Sequence, residues 1–538
     1  MPQTNGDLIV QMLKAAGVRY AFGIPSGNVL PLIESMRKGG IEFVLVAHEG
    51  SAGFAADVMG RLTGAPGLCI ATLGPGATNL TTGVGDAYLD RSPLIAITCN
   101  IPTDQIGRRI QMYIDHHALF RPITKGSHPL RRGRVAPAVE EALRAALSEP
   151  QGPVHLDLPE DVCLAPATEE APPAPAGRSF HPAPETQFRK LEEVLGGARR
   201  PVAVIGASAM RMKDPGLLRA FIEKHQLPFA STTMAKGMID EDHPLSIGCI
   251  ERARRQVQRE FLRGADLILG LGYDVVEVEY EAWIKEVPLA SVDIEPADTG
   301  GKVNVVHEVV GDLDASLKRM IDLRPGRYEW PSDAALRQKE KFQRALRPQT
   351  PRFSPHQAID VVRAALPREG LLSFDVGAHT HQIASQWTAH APRTFLITNG
   401  WSSMGFGIPA GIAAKLARPE LPAVTVIGDG CFQMTCGEVA TAKRLGISLP
   451  IVVLNDQWLS LIQVKQERRS FEVYGTSLEK GKGAMPADPP AHYFGVPAVA
   501  ARGPEELERA LRKALGAAGP TVIEAQVDSG HYMETVYD

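Results

Sequence analysis

The stretch AVTVIGDGCFQMTCGEVATAKRLGISLPIVVLNDQ, residues 423–457, decides the fold. Two short apolar runs, 424–427 and 451–454, bracket a longer amphipathic segment. Continuous Val- and Ile-rich runs of that length suit strands buried on both faces of a parallel sheet, with a crossover helix between them. Such a unit is right-handed and brings the ends of both strands to one carboxyl edge, where α/β sheets bind ligands. The first run ends in Gly428-Asp429-Gly430; after 24 further residues the second ends in Asn455-Asp456-Gln457. Asp429 and Asn455 thereby offer two hard oxygen ligands and the Gln457 carbonyl a third, a set that a diphosphate completes to the octahedron Mg²⁺ prefers. Gly428 and Gly430 let backbone N–H groups approach a phosphate beside a helix N-terminus. A GDG turn alone only caps a strand. The separation and the Asn after a second apolar strand make the pattern specific.

The same alternation runs outward along the chain. Apolar runs at 43–47, 68–72, 94–98, 202–205 and 267–271 read as strands. Patterns at 7–16 (with Gly17 as its C-cap), 216–225 and 504–515 read as helices. Strand and helix in alternation mean an α/β protein. A chain of 538 residues exceeds what one core organises. Residues 166–186 carry six prolines and read as an extended linker; residues 324–355 read as a second connector holding a polar helix. The expected organisation is three doubly wound parallel-sheet domains at 1–165, 187–324 and 352–538.

Composition narrows the function. A net charge of −4 gives no electrostatic basis for nucleic acid or an anionic membrane as partner. The six cysteines, with no CxxC pair, read as reduced thiols. The N-terminal segment lacks the basic start and apolar stretch of a signal peptide, and no apolar run approaches the roughly 18 residues of a membrane span. The expectation is a cytoplasmic enzyme. No GxxxxGK[ST] occurs, which argues against a P-loop phosphoryl-transfer enzyme.

The metal pattern resembles that of thiamine diphosphate-dependent enzymes, in the acetolactate synthase, pyruvate oxidase and benzoylformate decarboxylase branch, with Asn-Asp where the family has Asn-Asn. The resemblance covers essentially the whole chain. GVRYAFGIPSGNVLPL, HEGSAGFAADVMGRLTG and TLGPGATNLTTGVGDAYLDRSPLIAIT resemble the pyrimidine-binding domain, ARRPVAVIGASA and ADLILGLGYDVVE the central domain, and the stretch quoted first the diphosphate-binding domain. The resemblance implies thiamine diphosphate and Mg²⁺ as cofactors, with Asp429, Asn455 and Gln457 as metal ligands. Glu49 is implied to hydrogen-bond the aminopyrimidine and promote the tautomer that deprotonates the thiazolium, after which the cofactor acts as electron sink. Pro25, Asn79, Ser402, Gly428, Gly430, Cys431 and Leu459 are implied cofactor contacts. Met404 is implied to bend the cofactor into a V, and His379 to reach its diphosphate. The family builds each site from two subunits, so a homodimer or homotetramer is implied.

The sequence also departs from the family. Where flavin-containing synthases carry an arginine-bearing loop, this chain reads Gly272-Tyr273-Asp274-Val275-Val276, so FAD is not expected. The synthases' active-site Gln position falls on Met112, with Gln111 adjacent. His116 and His117 follow in the same loop, where decarboxylases use paired histidines to relay protons. Leu461, Ile462 and Lys465, on the helix after the metal Asn, are further candidate substrate contacts; Lys465 could hold a substrate anion. Two reactions on a small 2-oxo acid remain open. One is carboligation, in which a decarboxylation-derived enamine attacks an aldehyde or a second 2-oxo acid. The other is simple decarboxylation releasing an aldehyde. A catalytically silent cofactor-binding subunit is a third reading, opposed by the intact Glu49, Asp429 and Asn455.

Overall fold

The computed structural model describes residues 2–177, 180–479 and 486–536. Three sheets dominate it. The first holds β1 (Tyr20–Gly23), β2 (Glu42–Leu45), β3 (Gly67–Thr72), β4 (Leu94–Asn100), β5 (Ser127–Pro129) and β6 (Pro153–Pro159), in the order β2-β1-β3-β4-β6-β5. The second holds β7 (Pro201–Ile205), β8 (Phe229–Ser231), β9 (Ser246–Cys249), β10 (Leu267–Leu271), β11 (Leu289–Asp293) and β12 (Val305–Val310), in the order β12-β11-β10-β7-β8-β9. The third holds β13 (Leu371–Phe374), β14 (Phe395–Leu396), β15 (Ala423–Gly428), β16 (Pro450–Asn455), β17 (His492–Tyr493), β18 (Val496–Ala501) and β19 (Thr521–Gln526), in the order β14-β13-β15-β16-β19-β18-β17. Every pairing is parallel except β17–β18. The three α/β sheets expected from the sequence are present.

Strand runs read from the sequence land within two residues of the observed strands, and helices Gly216–His225 and Pro504–Leu515 match their expected limits. The first helix, Asn5–Ala15, starts two residues earlier than expected because Thr4 and Asp7 form a capping box ahead of it. Past its end Gly17 takes the left-handed conformation, φ 93°. The second connector contains the polar helix Ala334–Ala345. His116 and His117, expected in a loop, instead open the short helix His116–Phe120, capped by the Asp115 carboxylate accepting from Ala118 N. Among the described residues no helix is long and apolar enough to cross a membrane.

One core runs through both the first and the third sheet. Helix Glu49–Thr63 is its centre, nearly all Gly, Ala and small apolar residues. It lies backbone to backbone on helix Pro75–Leu89: a Cβ on Gly53 would stand 2.6 Å from the Cα of Gly83. Helix Gly407–Ala417 of the third domain packs on it too, with Phe54 and Phe406 edge to face at 5.6 Å. Arg61, near the end of the same helix, ties all three domains together. It pairs with the buried Asp57 and with Asp90, donates to Ile397 O at 2.7 Å, and reaches Met234 Sδ at 3.9 Å.

Candidate active site

β15 and β16 are adjacent and parallel, so the turns after them share one edge of the third sheet. There Asp429 opens helix Asp429–Thr435. Its Oδ1 accepts from Gly430 N at 2.8 Å and its Oδ2 from Gln457 N at 2.7 Å, which bolts the first turn to the second. Gln457 bends with φ 66° to deliver that N–H. Asn455, at the end of β16, donates from Nδ2 to Glu524 Oε2 at 3.0 Å. That bond fixes the amide orientation, and the Asn455 Oδ1 is left buried without a hydrogen-bond partner. An orphaned buried acceptor beside a buried carboxylate is an unfavourable pair by itself and a favourable one around a hard divalent cation. Burial and the charge of neighbouring Asp456 push Asp429 up to about 7. Asp456 is raised too, chiefly by burial, although it accepts from Trp458 N at 3.1 Å and from the Ser460 hydroxyl. The donor set therefore fits Mg²⁺. The Gln457 carbonyl, expected as third ligand, accepts from Leu478 N at 2.9 Å.

A cleft with about 620 Å³ of empty space opens beside Asp429. Of the residues expected there, His379, Met404, Gly428, Gly430, Cys431, Leu459, Leu461 and Ile462 form its wall together with Asp429. The reason for glycine at 430 is visible: a Cβ there would lie 2.7 Å from Leu459 and 3.4 Å from the Met404 methyl. Met404 lies in the turn ahead of helix Gly407–Ala417 and not on the helix itself. His379 Nε2 is 3.3 Å from Asp375 Oδ1, and the Asp375 Oδ2 accepts from Gly405 N at 3.0 Å, so one carboxylate positions both the imidazole and the Met404 turn. Ser402 lies outside the wall, exposed at φ 52°, its hydroxyl donating to Asn399 O at 2.7 Å. Lys465 is also outside it, half-buried on helix Ser460–Arg468.

Glu49 sits at the carboxyl edge of the first sheet. It is the first residue of its helix, 8% exposed, and its Oε2 accepts from Asn79 Nδ2 at 3.0 Å. A Cβ on Gly76 would approach Glu49 Oε1 to 3.2 Å, so the start of helix Pro75–Leu89 is shaped around the carboxylate. Pro25, exposed after β1, lies on the same edge. Within one chain neither Glu49 nor Asn79 belongs to the wall of the Asp429 cleft.

The histidines belong to a network inside the first domain. His116 is buried, with Nδ1 2.9 Å from Thr98 Oγ1 and 3.1 Å from Asp157 Oδ1; its Nε2 accepts from Gly74 N at 3.4 Å. His117 places Nδ1 2.6 Å from Ser127 Oγ, and the same hydroxyl is 2.7 Å from Nδ1 of His155. His155 lies on β6 stacked on Phe120 at 4.2 Å, and burial pulls its pKa down to about 3. Burial alone would raise Asp157; the His116 hydrogen bond and charge outweigh it and hold the carboxyl below its usual range. Gln111 and Met112 are exposed on the preceding turn, with Met112 at φ 65° packed by its carbonyl against Gly74. The sequence reading missed Asp375, Glu524, His155 and the cleft residues Trp458 and Tyr532. Only Asp375, ending an apolar run two residues before Gly377, carried a local signal.

Comparison with known proteins accords with this arrangement. Residues 3–119 match the thiamine pyrophosphate enzyme N-terminal TPP binding domain, residues 188–320 the central domain and residues 375–525 the C-terminal TPP binding domain. The chain is 32% identical over 536 residues to the acetolactate synthase isozyme 1 large subunit of Escherichia coli (strain K12), covering 98% of this chain and 94% of that one. It is 32% identical over 488 residues to the acetolactate synthase large subunit of Lactococcus lactis subsp. lactis (strain IL1403), covering 88% and 85%. It is also 31% identical over 538 residues to the probable 2-ketoarginine decarboxylase of Pseudomonas aeruginosa, covering 97% and 93%. Three matched domains, in order, on three parallel sheets make this chain a member of the thiamine pyrophosphate enzyme family, in its acetolactate synthase-like branch.

Proposed function

We propose that this enzyme is a thiamine diphosphate- and Mg²⁺-dependent carboligase that decarboxylates a small 2-oxo acid and joins the remaining fragment to an aldehyde or a second 2-oxo acid. The observation that carries the reading is the cleft beside Asp429 and the orphaned Asn455 Oδ1, in a chain colinear with acetolactate synthase large subunits over nearly its whole length. Bound there, thiamine diphosphate supplies the nucleophilic carbon and the electron sink.

The chain's own groups have separable tasks. Asp429 and Asn455 would hold the cation, with Glu524 keeping the Asn455 oxygen turned toward it, and the GDG turn would border the diphosphate. His379 stands on the same wall, held by Asp375. Met404 and Leu459 give the cleft apolar surface that would exclude water and pack against a bound ring system. Glu49, held by Asn79, exchanges a proton at the pyrimidine nitrogen. Because Glu49 is absent from the cleft wall of its own chain, the reading requires a homodimer, or a homotetramer built from two such dimers, in which Glu49 of the partner subunit completes the site. The domain limits 1–165, 187–324 and 352–538 and a cytoplasmic location belong to the same proposal.

The central domain is proposed to hold no flavin. At the carboxyl edge of its sheet, where such sheets take nucleotides, the Glu277 carboxyl already accepts from Ala207 N at 2.9 Å, Met234 N at 2.7 Å and Thr232 Oγ1 at 2.5 Å. Burial pushes Glu277 up to about 8. Incubation with pyruvate, with and without an added aldehyde, tests the reaction. Acyloin or acetohydroxy acid product is expected; acetaldehyde as the only product would overturn carboligation in favour of simple decarboxylation.

A further inference from the structure

A second crevice opens away from Asp429, on the seam where the three domains meet. About 640 Å³ of empty space lies between Leu62 of the first domain, Met212, Lys213 and Pro215 of the central domain and the third domain around Leu371, Arg393, Arg418 and Leu421. Its wall carries three cations, Lys213, Arg393 and Arg418, and no acid. Arg393 is half-buried, and its Nη2 donates only to the main-chain carbonyls of Met210 and Met212, at 3.1 and 3.5 Å. Arg418 Nη2 donates to Leu62 O at 3.1 Å. The Asp314 carboxylate nearby accepts from the backbone N–H of Lys213 and Asp214, so it fixes the turn and not the ammonium group. None of the three cations has an ion-pair partner among the described residues.

This is an unusual place for uncompensated charge. Arg418 and Lys213 are exposed at the rim, where water solvates them, but Arg393 is half-buried, and a guanidinium drawn out of water is ordinarily paired with a carboxylate because desolvation otherwise opposes it. Here burial and the neighbouring Arg418 charge both pull the Arg393 pKa down. Arg393 also holds a left-handed backbone, φ 61°, a conformation that costs a side-chain-bearing residue energy and that clusters at ligand sites. The rest of the wall is largely apolar, with Leu62, Leu371 and Leu421 contributing.

We propose that this seam binds a small phosphate monoester, its phosphate held by Arg393 and Arg418 with Lys213 at the rim, and its carbon skeleton against Leu62, Leu371 and Leu421. A dianion matches three uncompensated cations better than a monocarboxylate does, and the guanidinium fork suits phosphate oxygens. Because the wall is assembled from all three domains, the occupant bridges them and its binding stabilises their arrangement.

The test uses holoenzyme saturated with thiamine diphosphate and Mg²⁺, so that the diphosphate site is already filled. Thermal unfolding is followed while inorganic phosphate is titrated, against potassium chloride and potassium acetate at matched ionic strength. Phosphate is expected to raise Tm saturably, beyond either control. Arg393→Gln should weaken the apparent phosphate affinity about tenfold, and Lys213→Gln, at an exposed position, severalfold, both with wild-type turnover. A phosphate response equal to that of chloride overturns the site, one matched by acetate overturns the phosphate assignment, and identical titrations of wild type and both variants overturn the residues. Should Arg393→Gln fail to fold, the Lys213→Gln titration decides alone.

Discussion

At the scale of single residues, the site is governed by which oxygen atoms are left unsatisfied. Asn455 Oδ1 has no partner because Glu524 has taken the other end of its amide. Glu524 also accepts from the Tyr493 hydroxyl at 2.7 Å, so its carboxylate is itself held in position. Glu524→Ala is expected to free the amide to rotate and to weaken Mg²⁺ binding about tenfold to a hundredfold, read by metal titration of the cofactor-loaded protein with circular dichroism as the folding control. Glu49→Gln keeps the shape and the hydrogen bond with Asn79 but removes the exchangeable carboxyl proton. Turnover should fall at least about a hundredfold while thiamine diphosphate still binds, measured by steady-state kinetics beside cofactor titration. Asp429 and Asn455 were legible in the sequence because a fixed separation on neighbouring strands is a local signature. Glu524 was not: it lies 69 residues after Asn455 and meets it only because β19 pairs with β16.

At the scale of elements, two features can be tested without any ligand. The first is the contact of helices Glu49–Thr63 and Pro75–Leu89 through Gly53 and Gly83. Gly53→Ala drives a methyl into backbone and should destabilise the protein by about 1–3 kcal/mol despite alanine's better helix propensity, as read from urea unfolding midpoints. The second is His155, buried on β6 with its pKa lowered from 6.5 to about 3. Below about pH 6.5 the unfolded chain takes up a proton there that the folded chain refuses, so this contribution to stability is present at neutral pH and lost as pH falls toward 3. The slope is about 1.4 kcal/mol per pH unit for one proton. Urea unfolding of wild type and His155→Gln at about pH 5 and about pH 7 should differ in slope by that single proton. Strand positions were legible because buried parallel strands are continuous apolar runs. Strand order was not, since β2-β1-β3-β4-β6-β5 is set by crossovers that leave no mark on the runs themselves. The helix at His116–Phe120 escaped the reading because its only signal is the Asp115 cap.

At the scale of the whole molecule, Glu49 and Asp429 stand on different sheets, and the wall of the Asp429 cleft includes no residue of the first domain. If the proposed dimer completes the site, dilution of the holoenzyme into the range where it dissociates should abolish activity with retention of folded monomer, read by activity and light scattering over the same concentrations. The core shared by the first and third sheets was not legible in the sequence, because the proline-rich linker read as a boundary between independent bodies.

Arg61 carries that integration into a practical limit. Its guanidinium is bonded to two aspartates of its own domain, to a carbonyl of another, and touches a methionine sulfur of the third. A gene fragment ending before the central sheet would leave this cation half-undressed on raw apolar surface and would precipitate when expressed. Chimeras spliced between relatives at the linkers would meet the same obstacle unless both flanks of this junction were transplanted together.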